Sequence, residues 1–197
     1  MSIKEVEAEF LREVCKDVST EPHLLPVEPK NFRTSANTGD QARLDIVATG
    51  LWGPFERTFF DVRVTHPNAP SYDSMTPQQL YKHHEAEKKR QYNNRVLEVE
   101  KASFCPLVYS TSGGVGPECK AYHRRVVQLI SEKRREDYAS VMNYVRTKIR
   151  FTLLKSVLMA IRGTRSRRSG SQFNKRADPI CAIPFGLIPE KRGYETM

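Results

Sequence analysis

Two short segments near the middle of the chain alternate apolar and polar side chains in the manner of half-buried β-strands. They span about residues 43–49 and 57–65, and a turn centred on Gly53 separates them. Because side chains alternate between the two faces of a strand, Asp61 and Arg63 share one face of the second segment. The pattern predicts a β-hairpin that carries charged side chains on one face.

The two acidic positions of this hairpin, Asp45 and Asp61, lie equally far along the chain from Gly53. Directly opposed residues of an antiparallel pair have Cβ atoms about 5 Å apart, so this register sets the two carboxylates against each other. Like charges at that separation repel unless a cation lies between them, and a divalent metal is one such cation. A structural ion-pair network without metal is the alternative interpretation. On the opposite face we expect Leu44 to lie with Phe60.

Helical spacing of apolar residues recurs along the rest of the chain and predicts helices at about 3–15, 77–100, 117–136 and 138–162. A third strand is expected at Phe104–Ser110, and the Ser112–Gly116 segment is expected to form the turn after it. The last helix carries an apolar residue at every fourth position, which is typical of a face that packs in the core or on a partner helix: Val141, Val145, Ile149, Leu153, Val157 and Ile161.

This order of elements predicts an α/β fold. A small mixed sheet with a central β-hairpin is flanked by helices, and further helices follow at the C-terminus. We expect one domain over residues 1–163, which includes the C-terminal helices. A flexible basic tail is expected over residues 164–197, where serine, arginine, glycine and proline dominate.

The charge of the chain favours a polyanionic partner. With 32 Lys and Arg against 23 Asp and Glu, the 197-residue chain carries a formal net charge of +9. Clustered cations bind phosphate backbones through charge and counterion release, so nucleic acid is the favoured partner, with DNA preferred to RNA. The contacts are expected from the C-terminal part of the domain: Arg124, Arg125, Arg134, Arg135, Arg146, Lys148 and Arg162.

The composition argues against several other classes of protein. The four cysteines include no CxxC pair, so structural zinc is not expected. Charged residues interrupt the first positions, which argues against a secretory signal. The most apolar window, at residues 151–161, is well short of the roughly 20 residues that a membrane span needs. We therefore expect an intracellular protein, nuclear or cytoplasmic and not secreted, that uses no membrane. A homo-oligomer is compatible with the sequence.

A helix, strands that each carry an acid, a polar helix, a strand and a further helix follow one another in the restriction-endonuclease-like nucleases, whose motif is written PD-(D/E)xK. The chain resembles this family in Leu44-Asp45, which fifteen residues separate from Asp61-Val62-Arg63. It departs from the family in having Leu44 where proline is frequent and Arg63 where lysine is usual.

The chain also resembles, over about residues 10–163, the C-terminal endonuclease-like region of animal retroelement polyproteins that carry a reverse transcriptase. Five groups of residues carry this resemblance through their order and spacing: Lys16-Asp17-Val18 with Glu21-Pro22, Ala42-Arg43-Leu44-Asp45, Phe60-Asp61-Val62-Arg63-Val64 with His66-Pro67, Glu87-Lys88-Lys89-Arg90-Gln91-Tyr92, and Ser112-Gly113-Gly114-Val115-Gly116.

The resemblance implies a phosphodiester hydrolase in which Asp45 and Asp61 hold Mg²⁺ or Mn²⁺. Arg63 is expected to contact the phosphate, because arginine keeps its proton at neutral pH and cannot act as a base. The role of the usual lysine would then fall to the polar helix, where Lys88 and Gln91 share a face. A solvated helix face explains the same two residues without any catalytic role.

Three functions remain open from the sequence. The first is a metal-dependent endonuclease that cleaves phosphodiester bonds in DNA. The second is a catalytically degenerate nucleic-acid-binding module, in which arginine at position 63 has replaced the active lysine. The third is a helical protein-interaction domain, in which the apolar stripe over residues 141–161 docks on a partner.

Overall fold

Four strands form one mixed sheet in the computed structural model, which describes residues 1–28, 32–33 and 35–162 and leaves the Ile161 side chain undescribed. In chain order the strands are β1 (Lys16–Thr20), β2 (Ile46–Thr49), β3 (Arg57–Thr65) and β4 (Ser103–Ser110). Their order in the sheet follows the chain. β1 pairs with β2 and β2 with β3 in antiparallel fashion, whereas β3 and β4 are parallel.

Four helices accompany the sheet: α1 (Ile3–Val14), α2 (Pro77–Glu98), α3 (Pro117–Arg134) and α4 (Tyr138–Arg162). The parallel pairing of β3 and β4 requires a crossover, and α2 supplies it. The predicted α/β class, with its mixed sheet and C-terminal helices, is confirmed. Residues Met1–Thr164 form one compact unit, and the predicted tail at 164–197 lies outside the described residues.

The β2–β3 hairpin has the predicted register. Ile46 pairs with Phe60 and Thr49 with Arg57, so Gly53 lies at the centre of the turn. The first strand is shorter than predicted, however, because the backbone bends at Asp45 and β2 begins only at the next residue. Alternation does not continue through a bend. The prediction for Leu44 is therefore wrong: it packs on the opposite side of the sheet from Phe60.

Apolar side chains cover both faces of the sheet. On one face Ile46, Phe60 and Leu107 pack in a large core with residues of α1, α3 and α4. On the other face a smaller cluster joins Phe59 and Phe104 to residues of α2. The helix α2 lies on this second face. Asp61 and Arg63 are on the same face of β3 as Phe59, so their side chains also point towards α2.

The apolar stripe of α4 belongs to the larger core over most of its length. The first four of its side chains are 0–4% exposed: Val141, Val145, Ile149 and Leu153. Of the two interpretations given for this stripe, core packing holds for these positions. These four positions are therefore not a free face on which a partner helix could dock.

The edge strand β1 was not expected from the sequence. Its five residues are polar apart from Val18, and all are exposed or half-buried. No period-2 alternation is visible because neither face of this strand is fully covered. The strand also contains an irregularity between Lys16 and Ser19, where Asp17 has a φ of +50°.

Two buried charged side chains fasten other elements to the sheet. Glu7 of α1 is fully buried and accepts hydrogen bonds from the hydroxyls of Tyr109 and Tyr122 at 2.5 and 2.9 Å, and it pairs with His123 at 3.0 Å. Arg95 of α2 is also fully buried and donates to the carbonyls of Leu25, Asn37 and Gly39. These contacts connect α1 to α3 and β4, and connect α2 to the long segment between β1 and β2.

Candidate active site

Asp45 and Asp61 occupy opposed positions at the end of the hairpin. The last pair of β2 and β3 is Ile46 with Phe60, and positions 45 and 61 face each other directly beyond it, where the bend at Asp45 ends the regular pairing. Asp45 donates its backbone N–H to the Phe60 carbonyl at 3.1 Å, and its Oδ2 accepts the backbone N–H of Val62 at 2.7 Å. The bend that ended the alternation at Asp45 therefore turns its carboxylate towards β3, beside Asp61.

Asp61 points towards α2 and meets Lys88. The Lys88 ammonium nitrogen lies 2.7 Å from Asp61 Oδ2, and the two side chains are only 18% and 10% exposed. The approach of the ammonium lies outside the angular range of a hydrogen bond, so Oδ2 is a buried oxygen with an ion-pair contact alone. Lys88 also lies over the Tyr92 ring, 5.6 Å from its centre.

The environment of Asp61 disfavours its charge. Burial raises the pKa of the Asp61 carboxyl, the neighbouring Lys88 ammonium opposes this effect in part, and the Asp45 carboxylate adds to the rise. A raised carboxyl pKa in a polar cleft is a property of many catalytic acids and metal-binding carboxylates. It also shows that Asp45 and Asp61 are close enough to interact electrostatically.

Arg63 does not share the Asp61 carboxylate with Lys88. Its guanidinium donates instead to Glu87 Oε2 at 2.9 Å. The same Glu87 oxygen lies 3.3 Å from His84 Nδ1, and His84 Nε2 lies 3.2 Å from the Thr65 hydroxyl. Arg63 and Asp61 are two residues apart and share a strand face. Arg63 is nevertheless held by a different residue, an acid of α2.

The helix α2 presents a second polar group that the sequence analysis did not single out. Ligand atoms of His83, His84 and Glu87 lie within 4.8 Å of one another. The spacing of three and four residues along a helix was the signal that could have shown it. Burial lowers the pKa of His84, and the hydrogen bond to Glu87 opposes this effect only in part. Arg63 already occupies the Glu87 oxygen on which a metal would bind.

Gln91 lies on the same helix but is less closely engaged. Its backbone carbonyl accepts the N–H of Asn37 at 2.9 Å, and its side chain is half-buried. In the described part of the chain no hydrogen bond joins the Gln91 amide to Asp45 or Asp61. Of the two α2 residues predicted to assist the acids, Lys88 is the one in contact with them.

The residues predicted to contact nucleic acid differ in how they are held. Arg125 donates to the Leu51 carbonyl, Arg134 forms a two-point contact with Glu13, and Lys148 pairs with Glu9. The remaining four are exposed, and none of them has an ion pair within the residues that the structure describes: Arg124, Arg135, Arg146 and Arg162. These four cations are the ones available to a polyanion.

Comparison of the chain with protein-family models, with curated protein sequences and with solved structures found no match. Among the described helices, none has a long enough apolar stretch to cross a membrane. The functional argument therefore depends on the geometry of the residues themselves.

Proposed function

We propose that this domain is a metal-dependent endonuclease that cleaves phosphodiester bonds in nucleic acid, with DNA as the expected substrate. The observation that carries the proposal is the group formed by Asp45, Asp61 and Lys88. The Asp45 carboxylate, next to the start of β2, is close enough to raise the pKa of Asp61 in β3, and an ammonium from the crossover helix lies 2.7 Å from Asp61.

The donor set fits a magnesium or manganese ion held by Asp45 and Asp61. Carboxylate oxygens are the ligands that Mg²⁺ prefers, and it is commonly bound by one or two of them with water and phosphate oxygens. Asp61 Oδ2 has no hydrogen-bond partner in the described residues, but the Lys88 ammonium lies 2.7 Å from it, so a metal at Asp61 would share this carboxylate with Lys88. A bound ion would stabilise charge on the scissile phosphate and make its water ligand a better nucleophile.

The chain's own residues supply the other requirements of the reaction. Lys88 holds positive charge beside Asp61, where an ammonium can stabilise negative charge that develops on the phosphate. The lysine that the nuclease resemblance requires is thus available from α2 and not from β3. Asp45, fixed by the Val62 backbone N–H, keeps its carboxylate oriented before substrate binds.

The order of elements gives independent support to the proposal. A helix, three strands, a crossover helix and a fourth strand parallel to the third follow one another in the chain, as the resemblance to restriction-endonuclease-like nucleases implies. The retroelement resemblance adds the expectation that the chain is derived from a retroelement.

Cleavage of supercoiled plasmid tests the proposal. The purified protein with Mg²⁺ or Mn²⁺ should convert supercoiled plasmid to the nicked form, and EDTA should stop the reaction. Asp61→Asn and Asp45→Asn should each lower the nicking rate by about 100-fold or more, because metal stabilisation of a transition state amounts to several kcal/mol.

Asp73→Asn is the matched control, because Asp73 is an exposed acid close in sequence and outside the group. It should nick at the wild-type rate. Activity that is equal in Asp61→Asn and Asp73→Asn would exclude this site as the source of cleavage.

A second candidate function is nucleic-acid binding without cleavage. The observation that favours it is the Arg63–Glu87 ion pair, because a guanidinium held by an acid does not neutralise a substrate phosphate. This candidate predicts DNA binding that is the same with Mg²⁺ and with EDTA, and no nicking by the wild-type protein.

A further inference from the structure

A basic cavity lies apart from the Asp45–Asp61–Lys88 group, where the loop after β4 meets α2, α3 and α4. Its volume is about 320 Å³. Four of the side chains that line it are cations, and they come from α3 and α4: Lys120, Arg124, Arg146 and Arg150. No acid lines this cavity in the described part of the chain.

These four cations lack the partners that neighbouring cations on the same helices have. Arg134 of α3 is paired with Glu13, and Lys148 of α4 is paired with Glu9. Within residues 1–28, 32–33 and 35–162, no ion pair involves any of the four cavity cations. Four like charges around one cavity repel one another, and a bound anion relieves that repulsion.

The glycine loop shapes one wall of the cavity but does not supply its donors. Gly113 donates its N–H to the Ser110 carbonyl, and Gly114 donates to the Ser110 hydroxyl. A Cβ on Gly114 would lie 2.0 Å from the Tyr81 hydroxyl oxygen, so the loop must be glycine for Tyr81 to pack against it. An anion in this cavity would therefore be bound by side chains.

The first turn of α3 does not form this site either. The backbone N–H of Glu118 in that turn already donates to Glu85 Oε1 at 2.9 Å. The positive end of the helix is thus occupied by an acid of α2, and the charge in the cavity comes from the four cationic side chains.

Besides the glycine loop and His123, whose ring is paired with Glu7, the rest of the cavity wall is apolar or aromatic: Tyr81, Val115, Met142 and Ile149. A volume near 300 Å³ is at the lower end for small-molecule sites and suits one compact ligand. An apolar wall beside a cationic cluster fits a molecule with one uncharged flat part and one phosphate. A phosphate monoester carries nearly two negative charges at neutral pH, which matches several cations better than the single charge of a backbone diester.

We propose that this cavity binds the monoester phosphate of a nucleotide, with the base and sugar against the apolar wall. The preference for a nucleotide over other phosphate compounds rests on the proposed function. Two sources share this chemistry, a free nucleoside monophosphate and the phosphorylated end of a nucleic-acid strand. A shallower depression shares Arg124, Met142 and Arg146 with the cavity, so a strand could continue from it across α3 and α4.

Fluorescence anisotropy with two labelled single strands tests this site. The strands have one sequence and the same label at the 3′ end, and they differ only in a 5′-phosphate or 5′-hydroxyl. Binding is measured in EDTA, so that neither metal binding nor cleavage contributes. The full-length wild-type protein should bind the phosphorylated strand about 10-fold more tightly, because hydrogen bonds between charged groups are the strong ones.

The double variant Arg146→Ala/Arg150→Ala should lose this preference, whereas Lys155→Ala should keep it. Lys155 is an exposed cation of α4 outside the cavity. The substituted side chains are exposed, so we expect all three proteins to be folded. Unfolding curves check this. A single Arg124→Gln variant, on the other helix, should reduce the preference in part.

Competition with free deoxynucleoside monophosphate distinguishes the two sources, and either form of binding supports the cavity. Equal affinity of the wild-type protein for the two strands, together with no competition by the nucleotide, would overturn the proposal. An undiminished preference in the double variant would also overturn it. Plasmid nicking is scored separately, so a wild-type protein that nicks plasmid but shows neither a 5′-phosphate preference nor competition by the nucleotide would refute the cavity alone.

Discussion

Replacing Lys88 by methionine should destabilise the folded protein through Asp61. The ammonium lies 2.7 Å from a carboxylate whose side chain is only 10% exposed. Removing one partner of a buried ion pair costs about 3–5 kcal/mol, because the other charge stays buried without compensation. Because 18% of the Lys88 side chain is exposed, water can partly replace the ammonium. We therefore expect the free energy of unfolding to fall by about 3 kcal/mol at neutral pH, the lower end of that range.

The pH dependence of this loss follows from the pKa of Asp61. Burial raises that pKa in the folded protein, so the folded state binds the proton more tightly than the unfolded chain, and ionisation costs stability as the pH rises. Loss of Lys88 raises the pKa further and increases that cost. Below the unfolded-state value of about 3.9 the carboxyl is protonated in both states and the cost disappears. The deficit of Lys88→Met should therefore shrink as the pH falls.

Urea unfolding of wild type, Lys88→Met and Lys82→Met at about pH 7 and about pH 4 measures this effect. Lys82 is an exposed lysine of the same helix and serves as the control. Adding Asp61→Asn to Lys88→Met should restore part of the lost stability, because the buried charge is then absent. Equal unfolding midpoints for wild type and Lys88→Met at neutral pH, or a deficit that does not change with pH, would refute the reasoning.

Two further predictions concern the buried charged residues outside the site. Glu7→Ala should lower the free energy of unfolding by about 3–5 kcal/mol, because three buried polar partners lose their acceptor. Glu9 is an exposed acid, so Glu9→Ala should lower it by at most about 1 kcal/mol. Chemical denaturation of both variants checks this, and equal losses would contradict it. Arg95→Met should remove the donor to the carbonyls of Leu25, Asn37 and Gly39 at a cost of about 1 kcal/mol for each hydrogen bond, because these residues are half-buried or exposed and water can partly replace the guanidinium. Limited proteolysis should then cut the segment between β1 and β2 faster than in wild type; unchanged protection would show that Arg95 does not hold it.

The hairpin could be predicted from the sequence because its information is local. Apolar residues alternate with period 2 on both sides of a turn centred on Gly53, and turn position fixes the register. The opposition of Asp45 and Asp61 follows from that register alone. The helices were predicted within two residues at most of their ends for the same reason, since caps such as Thr76 mark their boundaries.

Features that depend on which elements meet could not be predicted. β1 was missed because an uncovered edge strand has no alternation. Leu44 was placed on the wrong face because a single bend at Asp45 breaks the period, and nothing in the local sequence marks it. The four cations of the basic cavity come from two helices, so their convergence depends on how α3 packs against α4.

Within the site, the spacing of the strands indicated the acids but not which cation would meet them. Arg63 shares a strand face with Asp61 and stands where the nuclease motif has lysine, so it was expected to contact the phosphate. The position of α2 adds what the strands do not show, because it brings Glu87 to Arg63 and Lys88 to Asp61. The two contacts are coupled, since Glu87 and Lys88 are adjacent on one helix and cannot exchange partners without a rotation of α2.

This coupling gives the arginine at position 63 a role that does not require catalysis. The Arg63–Glu87 pair joins α2 to β3 next to the contact between Lys88 and Asp61. A lysine at position 63 would reach Asp61 itself as a point charge and would lose the two-pronged guanidinium geometry. The replacement of the usual lysine is therefore compatible with a working site, provided that the helix lysine takes over its charge. Retention of nicking by Arg63→Gln but not by Lys88→Met would agree with this division of roles, and the reverse result would assign the reaction to Arg63.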